Sequence, residues 1–334
     1  MVDASQLRHG VERRRLRRML SLVLVTALVA IVTYVAASTV VWDKLTTVRG
    51  DCPPAWADND PTGFTVPARS DFDTAAYAMP QPELVVLPSR EPGIDVSSWW
   101  IPAADADAPA IVVVHGHNAC KRDHAVLLPA GMLHRNGFSV LLIDLRDHGD
   151  STLEDGRFAG GTDEYLDVLG AWDWLAGRGI PESRIGLVGI SLGAATTLIA
   201  AGEEPRVAAV WEDSSYADIS VAIRAELQRN GYPIFLEWGG VTMARLLSGD
   251  DFASRSPLEA IRRMAGRPVF VTHGTADSRL SVDYARDLIA AAEADGAGIE
   301  SWIVEGAEHV EGMLLRPDDY EARLVRFFSQ ALGG

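Results

Sequence analysis

Three short stretches carry residue types that could act together on a carbonyl. Gly189-Ile190-Ser191-Leu192-Gly193 sits between an apolar run, RIGLVGI (184–190), and a small-residue run, LGAATTLIAAG (192–202). A glycine-flanked turn from strand to helix is the setting that lifts a serine hydroxyl above a sheet edge. That hydroxyl is a poor nucleophile at neutral pH and needs a base, plus a group that orients the base. Downstream, Asp277 follows PVFVTHG (268–274) in HGTADS, and His309 follows IESWIVEG (299–306) in EGAEHVEG. Serine, acid and histidine thus occur in that order, each just beyond an expected strand end. Asp213, in WEDSS, is a rival acid; the helix start at Ser281-Val282 in the next segment favours Asp277. Taken singly, Asp277 reads as a turn or capping residue and His309 as a loop histidine. Their joint placement with Ser191 points to nucleophilic acyl transfer.

Such a reaction needs donors aimed at a developing oxyanion. The backbone N–H of Leu192, opening the helix after Ser191, is one. The second is expected from the loop after AIVVVHG (110–116), at His117, with Asn118 next in line. The segment HGHNACKRDH (115–124) holds several metal-ligand types, but in no spacing that converges them, so His115 is assigned to shaping the loop. No metal and no cofactor are expected.

The elements that must position these residues follow from hydrophobic patterning. ELVVLP (83–88) and DVSSWWI (95–101) read as two strands joined at Pro92-Gly93. Beyond them, unbroken apolar runs at 110–116, 138–145, 184–190, 206–213, 268–274 and 299–306 alternate with helical segments. About eight strands, most of them apolar throughout, imply an α/β protein with a mostly parallel sheet covered by helices on both faces. Residues 214–256 break the alternation and are expected to form a small helical cap above the strand ends. Tyr216, Tyr232, Phe235 and Trp238 in that insertion either line an acyl pocket or pack the cap onto the core.

The N-terminal region reads differently. Residues 8–18 carry six arginines against Glu12, and residues 19–42 contain no charge. That run can cross a hydrocarbon layer as a helix, with the arginines on the cytoplasmic side and the rest of the chain beyond. A signal anchor accounts for the full run and for Trp42 at its end; a cleaved signal peptide, cut near Val35-Ala36-Ala37, is the alternative. The expected organisation is a cytoplasmic segment at 1–18, a transmembrane helix at 19–42, an irregular stalk at 43–80, and a catalytic domain at 81–334 with its cap at 214–256. Cys52 and Cys120 either pair or stay free, since the sequence does not give their separation. A net charge of -16 argues against a nucleic-acid partner.

From residue 80 onward the chain resembles the α/β-hydrolase fold superfamily. The resemblance rests on VVVHGHN, LIDLRDHGDS, GISLGA, HGTAD and GAEH, and within the superfamily it is nearest to membrane-anchored esterases, thioesterases and serine peptidases. EDSSYADI after the sixth strand fits the same relatives. One departure is Asp147 in LRDHGDS, where these proteins usually carry a second glycine, so the geometry of that turn is open. The resemblance implies Ser191, Asp277 and His309 as a triad, no cofactor, and an acyl ester, thioester or peptide-like substrate. A binding module of this fold is the alternative class; such modules usually lose a triad member.

Overall fold

A computed structural model of the chain describes residues 4–296 and 298–333. Along the chain run α1 (Ala4–Thr46), β1 (Glu83–Pro88), β2 (Asp95–Ile101), β3 (Ala110–Val114), α2 (His124–Arg135), β4 (Ser139–Ile143), α3 (Tyr165–Gly177), β5 (Ile185–Ile190) and α4 (Leu192–Glu203). They continue as β6 (Ala209–Asp213), α5 (Ile219–Arg229), α6 (Glu237–Leu247), α7 (Pro257–Arg262), β7 (Pro268–Gly274), α8 (Asp283–Ala294), β8 (Gly298–Val304), α9 (Gly312–Leu315) and α10 (Pro317–Ala331). One eight-stranded sheet forms in the order β1-β2-β4-β3-β5-β6-β7-β8. Only β1–β2 and β2–β4 pair antiparallel; the rest is parallel. This is the α/β-hydrolase architecture.

Parallel strands bury both faces, so β3, β4, β5 and β6 are buried at every position. Trp172, Leu198 and Leu288 pack on one face under α3, α4 and α8. Trp211, Phe270, Phe327 and Phe328 pack on the other, with α2 and α10. Trp211 and Phe270, neighbours on β6 and β7, stack at 3.9 Å. Residues 219–247 contribute α5 and α6 as a helical insertion.

Residues 43–80, expected as an irregular stalk partly packed on the domain, pack closely on it. Helix α1 runs on through the charged Asp43 and Lys44 to Thr46, because its last turn is held by the domain. Arg157 lies 3.6 Å over the Trp42 ring, pairs with Asp43 at 3.0 Å and donates to Thr46 and Thr47 hydroxyls. Beyond it, Phe64, Val66, Tyr77 and Met79 are buried against α2 and the sheet, so this stretch forms part of the core. Among the described residues one helix is long and apolar enough to cross a membrane, over Glu12–Thr46.

Cys52 and Cys120 form a disulfide, with Cα atoms 5.4 Å apart. It closes a loop of 68 residues and ties the segment after α1 to the loop after β3. Disulfides typically contribute about 2–4 kcal/mol, and a loop of this length stands at the upper end of that range. Thermal denaturation of the full chain in detergent should therefore show a melting temperature several degrees lower in dithiothreitol. A Cys52→Ala/Cys120→Ala variant should melt at that lower temperature with or without reductant.

Candidate active site

Ser191 follows β5 and serves as the N-cap of α4, at φ 55° and ψ -115°. This is strained for a residue with a Cβ, and the surroundings enforce it. A Cβ at Gly189 would sit 2.3 Å from the Gly193 carbonyl oxygen, and one at Gly193 would sit 2.4 Å from that of Val114. Only glycines therefore allow strand and helix to approach closely enough to push the hydroxyl out of the turn. Ser191 N–H donates to the Asp213 carbonyl at 2.8 Å, pinning the turn to β6.

The three separated residues meet at one edge of the sheet. Ser191 Oγ lies 2.9 Å from His309 Nε2, and His309 Nδ1 lies 2.7 Å from Asp277 Oδ2. With Nδ1–H donating to the carboxylate, Nε2 is left to accept the serine proton. Asp277 Oδ1 also accepts the amides of Arg279 and Leu280 at 2.9 and 2.8 Å. Burial pushes the Asp277 carboxyl up, but hydrogen bonds from His273 and His309 outweigh it and hold the group well below the usual range. The loop carrying His309 is strained as well: Val310, β-branched, sits at φ 60°, and its N–H donates to the Ser214 hydroxyl at 3.3 Å.

Asp213, the rival acid, faces elsewhere. It accepts from the Tyr320 hydroxyl at 2.9 Å and from Ser214 at 2.8 Å, and Trp211 Nε1–H donates to that same tyrosine. Its carboxylate is a buried structural acceptor between β6 and α10.

The loop after β3 lies against the serine, since a Cβ on Gly116 would be 3.2 Å from Ser191 Cβ. The amides of Leu192 and His117 donate to no acceptor among the described residues. Asn118 fixes this loop at φ 54°, donating to His117 Nε2 at 2.9 Å and accepting Arg49 N–H at 3.1 Å. Burial, with His148 adding to it, pushes both His115 and His117 down to about 3, so both rings are neutral. His115 spans the loop, accepting Leu145 N–H at 3.0 Å and donating to the Gly116 carbonyl.

Asp147 adopts φ 60°, a conformation aspartate tolerates better than most residues. Its Oδ1 accepts the amides of Glu154, Asp155 and Gly156 at 2.7, 3.1 and 2.9 Å. The unusual residue thus keeps the turn and also fastens the loop that grips the end of α1.

Two cavities flank Ser191. One, of about 310 Å³, is walled by Phe158, Tyr216, Ile219, Ile223 and Tyr232, with Leu45 of α1. The other, of about 370 Å³, is lined by Trp56, Arg69, His124 and Glu308. Of the four cap aromatics, Tyr216 and Tyr232 reach the first cavity. Phe235 and Trp238 face outward.

Residues 129–334 match the prolyl oligopeptidase family. The chain belongs to the prolyl oligopeptidase family. Among curated proteins, this family member is 29% identical over 139 residues to an uncharacterized 31.7 kDa protein from the traX-finO intergenic region of Escherichia coli. That match covers 41% of this chain and 47% of the relative. It is 35% identical over 106 residues to thiohydrolase aneE of Aspergillus aculeatus, covering 31% of this chain and 32% of that protein. The matched region thus spans less than half the length of these curated relatives. A solved Pyrococcus furiosus esterase superposes with TM-score 0.63 at 22% identity, covering 79% of this chain and 96% of the esterase. Pyrococcus horikoshii acylaminoacyl peptidase superposes with TM-score 0.56 at 18% identity, covering 76% of this chain but 42% of the peptidase. These structures share the fold.

Sequence reasoning missed His273, at the end of β7. Its Nε2 lies 3.0 Å from Asp277 Oδ2 and 2.9 Å from the Leu280 carbonyl, so the carboxylate rests between two imidazoles. The spacing of four residues in HGTAD was the available signal. Glu212, one residue before Asp213, is another buried acid; burial pushes it up to about 8, and it accepts Ser215 N–H at 2.6 Å. From about pH 4.5 to 8 the unfolded chain ionises Glu212 while the fold keeps it protonated. The folded state then binds more protons, and stability falls across that window as pH rises. Glu212→Gln removes this titration, so its melting temperature should gain several degrees on wild type between about pH 5 and pH 8. Parallel melting curves would mean the folded carboxyl is charged.

Proposed function

We propose that this protein is a serine hydrolase that cleaves carboxylic esters or thioesters through an acyl-enzyme on Ser191. The single observation that carries the reading is the unbroken line of hydrogen bonds from Ser191 Oγ through His309 to Asp277, at 2.9 and 2.7 Å. In this mechanism Oγ attacks the carbonyl carbon while its proton passes to His309 Nε2, and Asp277 stabilises the imidazolium. The amides of Leu192 and His117 receive the oxyanion. The leaving alkoxide or thiolate takes the proton from His309, and water, deprotonated by the same imidazole, releases the acid. The cavity walled by Phe158, Ile219 and Ile223 takes the acyl group, and the one bounded by Arg69, His124 and Glu308 takes the leaving group.

Ester and thioester chemistry is favoured by likeness to an esterase across nearly that enzyme's whole length, and to a thiohydrolase over part of one. Peptide hydrolysis is the second reading, favoured by the family itself. Helix α1 acts as a membrane anchor with the catalytic domain on the outer side, a reading supported by the arginines that precede its apolar run and by a disulfide, which persists in oxidising compartments.

A fluorophosphonate probe should label the wild-type chain and leave Ser191→Ala unlabelled. With p-nitrophenyl esters, Asp277→Asn should lose about 10³–10⁴-fold in kcat, while Asp213→Asn stays within about ten-fold of wild type. Turnover of aminoacyl-anilides but not of esters would favour the peptidase reading. An Asp213→Asn loss as deep as that of Asp277→Asn would reassign the acid.

A further inference from the structure

The cap does not sit free above the sheet. It packs along α1, inside the stretch of that helix which the charge-free run 19–42 marks as hydrocarbon-spanning. Tyr34 Oη donates to the Phe235 carbonyl at 3.2 Å, and the two rings stack at 6.3 Å. Further up, Ser38 and Val41 press on Gly239 and Gly240 of α6, so closely that a Cβ at Gly239 would sit 2.0 Å from the Ser38 hydroxyl oxygen. At 1.5 Å per residue, Tyr34 lies about 12 Å below Trp42, so α6 occupies the outer margin of the apolar run.

The cap beside it presents bare apolar side chains. Of nine large exposed hydrophobics outside α1 among the described residues, six fall in the cap: Val221, Ile234, Phe235, Trp238, Leu246 and Leu247. Trp238 is 77% exposed. This patch adjoins α1 through the Phe235–Tyr34 stack and combines a tryptophan and a phenylalanine with aliphatics, the composition that settles at a lipid interface. The charges nearby fit an interfacial depth and not a deeper one. Arg224 is paired with Glu237 at 2.7 Å, and Arg245, with Asp251 at 3.5 Å, has the reach to keep its head in water.

The seam between cap and α1 also forms a wall of the cavity over Ser191. Leu45, Ile223 and Tyr232 pack there against Val41, Leu227 and Leu236 and, with Lys44, line that cavity. We propose that the cap surface formed by Ile234, Phe235, Trp238, Leu246 and Leu247 lies in the outer leaflet beside α1, and that acyl chains of membrane-dissolved esters enter the Ser191 cavity from the bilayer along this seam. The inference rests on the readings of α1 as a membrane span and of Ser191 as an ester-cleaving nucleophile, and it names the substrate class for both: long-chain lipid esters presented by a membrane.

The test uses the full chain reconstituted in phosphatidylcholine vesicles, with two chromogenic esters read in parallel. p-Nitrophenyl acetate reaches the site from water; p-nitrophenyl palmitate is dissolved in the bilayer. Trp238→Asp and Leu246→Asp should keep acetate turnover within about two-fold of wild type, while palmitate turnover falls about ten-fold. Unchanged palmitate turnover overturns the proposal. An independent arm does not depend on how the charged variants fold: brominated phosphatidylcholine should quench a smaller share of tryptophan fluorescence in Trp238→Leu than in wild type. An equal share in both overturns the proposal, because Trp238 would then lie outside the bilayer. Failure of the underlying readings looks different. A wild-type chain that carbonate washes off the vesicles removes the anchor, and one that turns over neither ester removes the esterase; either result takes this proposal with it.

Discussion

The site depends on keeping a carboxylate ionised where water does not reach it. The Asp277 side chain is fully buried, and burial alone would favour its neutral acid. Two imidazoles and two backbone amides reverse that preference. Much of the local architecture serves this arrangement. The loop after β7 is stitched to the loop after β8 by Ala276 N–H donating to the Ala307 carbonyl at 3.0 Å. A Cβ on Gly274 would fall 2.1 Å from that same carbonyl oxygen. Moving either loop by an ångström would leave a buried charge short of donors, a costly state that the fold resists.

Strain gathers around the same point. Asn118, Ser191, Ser214 and Val310 are four of the five non-glycine residues at positive φ among those described, and all four border the serine or the histidine loop. Each is over-determined by neighbours: Ser191 by the Asp213 carbonyl and the flanking glycines, Val310 by the Ser214 hydroxyl, Asn118 by Arg49 and His117. Such conformations persist only when packing on all sides holds them. That is the work of the two aromatic-rich cores above and below the sheet.

The sheet was legible because parallel strands buried on both faces leave unbroken apolar runs, and the strands 83–88, 95–101 and 268–274 could be read to the residue. The candidate residues Ser191, Asp277 and His309 stood out because each lies within three residues of the end of such a run. What could not be read was tertiary. The pairing of Cys52 with Cys120 depends on a distance. The packing of 47–80 depends on a few apolar residues, Phe64, Val66, Tyr77 and Met79, spaced with no period. His273 was hidden by its position inside a strand, where a histidine looks like core. The outward turn of Phe235 and Trp238 was hidden because aromatic residues read alike in a pocket and on a surface.

The grip of Arg157 on the last turn of α1 carries one more consequence. With that helix in a bilayer, the catalytic domain has no hinge on which to swing away, because Trp42, Asp43 and Thr46 are all held by the same guanidinium. For a substrate dissolved in the same bilayer, as proposed above, the search is then two-dimensional. Encounter frequency follows the number of substrate molecules per unit area of membrane, and diluting the surrounding water leaves it unchanged.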